Sequence, residues 1–382
     1  MDEQAILSLI DTEDTIRLLQ KLIQTVTTNP PAHELPLVQW VGDYLKKFGF
    51  EVEVLPFGDR RGNLLARLKG SRGKPTLVFN AHFDTVPEGD KPWKFDPYSG
   101  TISNGKIYGR GTADMKGGMA AMIKAAEVIA RSKEKLAGDL LIAFTSGETS
   151  DCIGAKKLIE QNMLKAIDYL LISEPTGLNV NVAQKAAFWV RAITEGATAH
   201  GSMPTMGENA INTMVEFLNK VINFNMNVPP HPLLGSPSIA IGTVNGGKVI
   251  NVIPDRCEAQ LDIRLLPSQN PDDVVKQLEA LSEGKVKFEV IDLKKAVETD
   301  PSNKFIETCL EIVEEITDQP REPGGVSYFT DGTIIANALN VPMAIIGPAD
   351  TWMTHQHNEY VDITRLVEAA KIFTLIAYRL LK

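Results

Sequence analysis

Apolar residues recur at helical spacing through Ile6, Leu9, Ile10, Ile16, Leu19 and Leu22, so residues 5–24 read as an amphipathic helix that Asn29-Pro30-Pro31 then breaks. A second helix is expected from about Glu34 to Phe48, followed by strands from Glu51 to Leu55, Asn63 to Lys69 and Pro75 to Asn80. After a Pro/Gly/Asp-rich stretch from Glu88 to Arg110, the pattern predicts a helix over 117–131 and a strand from Asp139 to Thr145. A helix from Gly154 to Gln161 and a strand from Tyr169 to Ser173 follow. Strands alternating with helices of this length predict an α/β domain with a mostly parallel sheet flanked by helices. The stretch from Glu88 to Arg110 is long for a structureless loop in a compact domain, which marks it as functional.

The periodicity changes near Val180. Ala186 to Thr194 alternates as a strand, Asn209 to Phe224 reads as an amphipathic helix, and strands are expected at Ser238 to Val244, Cys257 to Leu266 and Val286 to Leu293, with a helix from Asp272 to Ser282. These elements predict a smaller α+β domain, 182–296, inserted into a catalytic domain made of 1–181 and 297–382. A helix from Asn303 to Thr317, a strand from Pro342 to Ile346 and a closing helix from Thr364 to Leu381 complete the larger domain.

At 382 residues the chain is longer than one core usually supports, in keeping with two domains. The formal net charge of -9 argues against non-specific binding to nucleic acid or an anionic membrane. No uncharged apolar run approaches the roughly 18 residues of a membrane span. The first thirty residues lack a basic segment followed by an unbroken apolar core, so no signal peptide is expected. Three scattered cysteines, Cys152, Cys257 and Cys309, do not form a disulfide pattern. The cytoplasm is the expected compartment.

The chemistry concentrates where predicted strands end. Thr76 to Asn80 runs into His82-Phe83-Asp84, and a carboxylate two residues from a histidine suits a metal ligand with its orienting partner. Asp114 lies in a glycine-rich turn before a helix. Leu140 to Thr145 ends in Ser146-Gly147-Glu148-Thr149-Ser150-Asp151, and Tyr169 to Ser173 ends in Glu174-Pro175-Thr176. Pro342 to Ile346 leads to Asp350 and then His355-Gln356-His357-Asn358-Glu359. Two imidazoles with shared carboxylates suit zinc or a similar borderline ion, and a spare carboxylate beside such a site can act as general base. Each residue also has a plainer reading. Asp151 and Asp350 suit helix caps or turns, Glu174 a turn, His355 and His357 the surface, and Cys152 simple packing.

The segments Asn80 to Pro87, Tyr108 to Gly118, Ser173 to Thr176, Ala199 to Ser202 and His355 to Val361 resemble the metal-dependent peptidases and deacylases. That family includes acetylornithine deacetylase, succinyl-diaminopimelate desuccinylase, aminoacylase and glutamate carboxypeptidase. The resemblance runs over nearly the whole chain. It implies that His82 and Asp114 bind metal, with Asp114 bridging two ions, that Asp84 orients His82, and that Glu174 completes the site of His82. His355 would bind the second ion, and the peptide after Asp114 would be cis. Glu148 would be the general base, deprotonating metal-activated water for attack on an amide carbonyl.

In the inserted domain, His200 matches a histidine that reaches the partner subunit's active site and helps stabilise the oxyanion; on its own it reads as a turn residue. Asn251 and Arg264 resemble substrate-binding residues, although a strand arginine is otherwise a solvated edge residue. Gly325, with Gly324, resembles backbone that lines the specificity pocket. The resemblance further implies one or two zinc ions per subunit, replaceable by cobalt or manganese, and a homodimer whose inserted domain serves dimerisation and as a lid. The implied substrate is an N-acyl amino acid. A dipeptidase or carboxypeptidase of the same family is the alternative, and a catalytically silent binding protein a further one.

One position departs from the pattern. The family carries two adjacent glutamates, the first as base and the second as ligand to the second metal. A gap-free match from Phe144 to Ala155 puts Glu148 at the base and Thr149 at the ligand. Sliding by one would make Glu148 the ligand and Gly147 the base, but needs an insertion before Gly154. A neutral hydroxyl is a poor ligand, so the second site is expected to be weakened or completed by another group, with Asp151 as candidate.

Overall fold

The computed structural model describes residues 2–382. The chain forms two compact units. The first comprises residues up to Val182 together with Thr299–Gly324 and Thr330–Lys382; the second comprises Ala183–Glu298 and Gly325–Phe329.

The first unit is built on a mixed sheet. From one edge its strands run Glu51–Phe57, Arg61–Leu68, Asp139–Thr145, Thr76–His82, Tyr169–Ile172 and Met343–Ile345. The centre is parallel, as the alternation of elements predicts: Thr76–His82 pairs in parallel with Asp139–Thr145 on one side and Tyr169–Ile172 on the other, and Met343–Ile345 adds in parallel. The margins are antiparallel. Glu51–Phe57 and Arg61–Leu68 are joined by too short a connection to cross over, so they can only form a hairpin. That hairpin docks antiparallel on Asp139–Thr145, and Ile345 pairs antiparallel with Asn181.

Both central strands, Thr76–His82 and Asp139–Thr145, are buried along their whole length, because helices cover both faces. Helix Lys116–Ser132 packs on Thr76–His82 and on the closing helix Ile363–Leu381. Its glycines permit this approach: a Cβ at Gly118 would lie 2.1 Å from the Ser173 carbonyl oxygen. Helix Leu35–Lys46 packs on the Glu51–Phe57/Arg61–Leu68 hairpin, while Ile153–Glu160 packs on Arg61–Leu68 and on helix Gly332–Leu339. A three-stranded antiparallel sheet, in the order Tyr360–Asp362, Lys106–Tyr108, Thr101–Ser103, lies apart from the main one. It lends structure to the end of the long loop between Glu88 and Arg110.

The second unit is an antiparallel sheet, ordered Ser238–Gly246, Arg256–Leu265, Ala186–Glu195, Lys287–Lys294, with helices Ala210–Ile222 and Pro271–Leu281. Along Arg256–Leu265 the alternate residues Cys257, Ala259, Leu261, Ile263 and Leu265 are buried. They join Phe188, Val190, Met214, Phe217 and Leu278 in its core. The edge strand Ser238–Gly246 is largely exposed.

Candidate metal centre

Strand register assembles the centre. His82 ends its strand opposite Thr145, and the Phe83 amide donates to the Thr145 carbonyl, so His82 and the turn carrying Glu148 emerge at the same sheet edge. On the other side Asn80 pairs with Ile172, which sets Glu174 two residues beyond that strand at the same edge. Sites of α/β sheets form at this carboxyl end.

His82 Nε2 lies 3.0 Å from Asp114 Oδ1, 3.4 Å from Glu174 Oε1 and 3.9 Å from Glu148 Oε2. The ligand atoms of His82, Glu148 and Glu174 all lie within 4.8 Å of one another. Asp114 Oδ2, the second oxygen of the same carboxylate, is 3.0 Å from His355 Nε2. One carboxylate thus joins two imidazoles. The Asp114–Met115 peptide is cis.

Asp84 shares the site without facing it. Its carbonyl oxygen is 2.8 Å from His82 Nδ1, which fixes that nitrogen as donor and leaves Nε2 free to bind a cation. The Asp84 carboxylate, 3.6 Å from the same ring, accepts the backbone N–H groups of Gly147, Glu148 and Thr149 and the Thr149 hydroxyl. The turn bearing the predicted base is thereby tied to the residue behind the predicted ligand.

The electrostatics call for a positive charge. Burial, together with neighbouring carboxylates, pushes Glu148 well above the usual carboxylate range, and burial with the charge of Asp114 pushes Glu174 up to about 7. Burial would also raise Asp114, but hydrogen bonds from His355 and His82 outweigh it and hold Asp114 low. Burial would depress His82, yet its bonds to Asp114 and Glu174 raise it well above the ordinary histidine value. Three carboxylates crowded on one imidazole nitrogen suit a divalent cation of the zinc type.

Three further buried groups support these residues. Glu359 Oε1 accepts the backbone N–H groups of Gly111 at 3.0 Å, Ala113 at 2.7 Å and Asp114 at 3.2 Å, while Oε2 pairs with Arg110. Lys116 Nζ donates to the Leu22 and Thr25 carbonyls, both at 2.9 Å, anchoring the turn to the first long helix. Asp331 accepts from the Thr145 hydroxyl and, at 3.5 Å, from the Asn80 amide, and burial raises its carboxyl. Sequence reasoning assigned none of the three a role. Glu359 stood within a quoted motif, whereas Asp331 follows no pattern that points to a site.

Thr149 turns its hydroxyl to Asp84, and Asp151 Oδ1 accepts the Ile153 amide at 3.1 Å as a turn former. All three cysteines are buried thiols, as packing residues would be. His357, read as a surface residue, has a buried Nε2, and its ring centre lies 6.2 Å from that of Trp93. In the second unit, His200 and Asn251 sit side by side: His200 bridges to Val252, and the Gly201 amide donates to the Asn251 carbonyl at 2.8 Å. His200 is exposed, with Nδ1 2.7 Å from the Ser202 hydroxyl. Arg264 pairs with Asp262 through Nε at 2.9 Å and lies beside Phe329. A Cβ at Gly325 would meet Leu234 at 2.6 Å, so that position is closely packed.

Residues 78–379 match the model of the peptidase family M20/M25/M40. The chain belongs to that family. It is 27% identical to a probable succinyl-diaminopimelate desuccinylase of Staphylococcus aureus, over 97% of this chain and 98% of that one. It is 30% identical to an acetylornithine deacetylase of Photorhabdus laumondii, over 88% of each. Among solved structures, aminopeptidase PepT of Bacillus cereus superposes with a TM-score of 0.80 at 22% identity, covering 98% of this chain and 100% of that one. As an M20/M25/M40 member the chain is a metal-dependent hydrolase of amide bonds, a deacylase or a peptidase. None of its described helices is long and apolar enough to cross a membrane.

Proposed function

We propose that this chain deacylates N-acyl amino acids of the acetylated or succinylated kind, with Glu148 as general base. The observation that carries the proposal is the placement of Glu148: buried, raised in pKa, and 3.9 Å from the imidazole nitrogen of the donor set. His82, Asp114 and Glu174 would hold a zinc ion, and Asp114 with His355 would face a second; cobalt or manganese would substitute. A divalent cation held there lowers the pKa of water and polarises a carbonyl oxygen. Glu148 takes the proton of the attacking water and passes it to the leaving amine, a role that a carboxyl with raised pKa performs near neutrality. Asp84 holds the His82 tautomer and the Glu148 turn together.

His200, Asn251, Arg264 and Gly325 are proposed to serve the substrate, His200 by stabilising the oxyanion in a partner subunit's site. The pairing of the His200 and Asn251 segments supports a shared task for them. The proposed homodimer would use the second unit, whose edge strand Ser238–Gly246 is exposed and whose Val244, Val249 and Ile250 stand in solvent. Three buried thiols, none of them in a disulfide, fit the reducing cytoplasm.

A peptidase acting on dipeptides or C-terminal residues would use the same machinery, and the likeness to an aminopeptidase fold keeps it as the second reading. Amine release from N-acetyl and N-succinyl amino acids and from dipeptides, with zinc, cobalt or manganese added, separates the two. Release from the acyl amino acids alone supports the deacylase, whereas release only from dipeptides replaces it by the peptidase.

A further inference from the structure

The two halves of the metal centre are built unequally. Around His82 the donors are His82, Asp114 and Glu174, with side chains 1%, 12% and 7% exposed and atoms 3.0 and 3.4 Å from His82 Nε2. Glu148 crowds the same nitrogen, and the ligand atoms of His82, Glu148 and Glu174 lie within 4.8 Å of one another. Around His355 only two donors meet, His355 Nε2 and Asp114 Oδ2, and the His355 side chain is 53% exposed.

The nearby motif groups Thr149, Asp151, Glu359 and Glu148 are engaged elsewhere. Thr149, where the family pattern has a glutamate, donates its hydroxyl proton to Asp84 Oδ2 at 2.6 Å and accepts from the Asn29 amide at 3.3 Å. Asp151 caps the Ile153 amide. Glu359 is saturated by Arg110 and three backbone N–H groups. Glu148 groups with His82 and Glu174.

We infer that the chain holds one divalent cation tightly, at His82, Asp114 and Glu174, and a second only weakly and exchangeably, at Asp114 and His355. The inference rests on the metal-site reading above and refines it. Two protein ligands, one of them half exposed, leave the second ion to fill its remaining positions with water or with the substrate itself. Loss of an outer-shell partner already lowers metal affinity about 10- to 100-fold, so loss of a direct ligand costs at least about 10-fold. The Thr149 hydroxyl, by bonding Asp84, instead strengthens the frame of the tight half.

The test is metal content and affinity, read without reference to turnover. The full chain is stripped with chelator, titrated with zinc or cobalt by calorimetry, and assayed by elemental analysis after dialysis. The expected result is one equivalent retained and a second binding at least about 10-fold more weakly. His355→Ala should abolish only the weak event. Thr149→Glu should bring the second affinity toward the first; should that variant fail to fold, His355→Ala still decides. Two equivalents of matched affinity in the unaltered chain, or loss of the tight event in His355→Ala, would overturn the inference alone. Absence of any bound metal would overturn both it and the metal-site reading beneath it.

Discussion

At the scale of single residues, the centre divides into groups that meet the substrate and groups that hold them. Under the proposed mechanism Glu148 belongs to the first kind. Replacing it by Gln keeps its volume but removes the proton acceptor, so kcat should fall about 10²- to 10⁴-fold while tightly bound metal, counted by elemental analysis, stays at its original level. Unchanged kcat would remove Glu148 from the role of base. Asp331 belongs to the second kind, because it touches Thr145 and Asn80 rather than the opening of the site. Asp331→Ala leaves the buried Thr145 hydroxyl only its long 3.4 Å bond to the Ala81 carbonyl, which should cost about 1 kcal/mol in denaturant unfolding. The role of Asp331 cannot be read from adjacent sequence: it enters through tertiary contact with strands some 186 and 251 residues earlier.

At the scale of elements, position in the sheet decides which polar residues meet. The small sheet illustrates this. Tyr360 pairs with Tyr108, so Glu359 arrives beside Gly109 and Arg110 and can gather the N–H groups of the Asp114 turn. A motif near residue 355 thereby fixes the turn that carries Asp114. Helix Lys116–Ser132 is the second such device, because Gly118 lets it rest on the Ser173 carbonyl, next to Glu174. Gly118→Ala would place a methyl 2.1 Å from that oxygen. We expect a loss of about 1–3 kcal/mol in stability together with weaker metal binding, since relief requires the helix after Asp114 or the segment before Glu174 to shift. Full metal affinity in a destabilised Gly118→Ala would show that the segment is held from elsewhere.

At the scale of the whole molecule, the buried charges make stability depend on pH and metal together. In the metal-free protein Glu148 and Glu174 have raised pKa values, Glu174 reaching about 7 from an ordinary value of 4.5. Carboxyls raised on folding bind protons more tightly in the folded state, so stability falls as pH rises through that window. His82 is also raised; its contribution is complete below the ordinary histidine value and is lost as pH climbs through the folded one, which has the same sign. Asp84 and Asp114 are lowered, so their contribution is already complete above about pH 4 and does not change in this range. Thermal melts of chelator-treated protein should therefore decline from pH 5 to pH 7 by on the order of 1 kcal/mol. Zinc should reverse the decline, because it requires deprotonated ligands and so stabilises most at the higher pH. A flat or rising profile without metal would contradict the crowding of carboxylates described above.

The sequence alone determined what local pattern can carry. Alternating apolar runs specified an α/β unit interrupted by an α+β one, and strand ends bearing His82, Glu148 and Glu174 marked one sheet edge, because hydrophobic period and chain direction are local properties. Motif resemblance supplied Asp114, His355 and the departure at Thr149. The tertiary structure alone decided which donors come within 4 Å, that Thr149 serves Asp84, that Asp151 forms a turn, and that Glu359 and Asp331 buttress the centre. It also turned the sheet margins antiparallel. These outcomes depend on register and on pairings between residues far apart in the chain, and no local period encodes them.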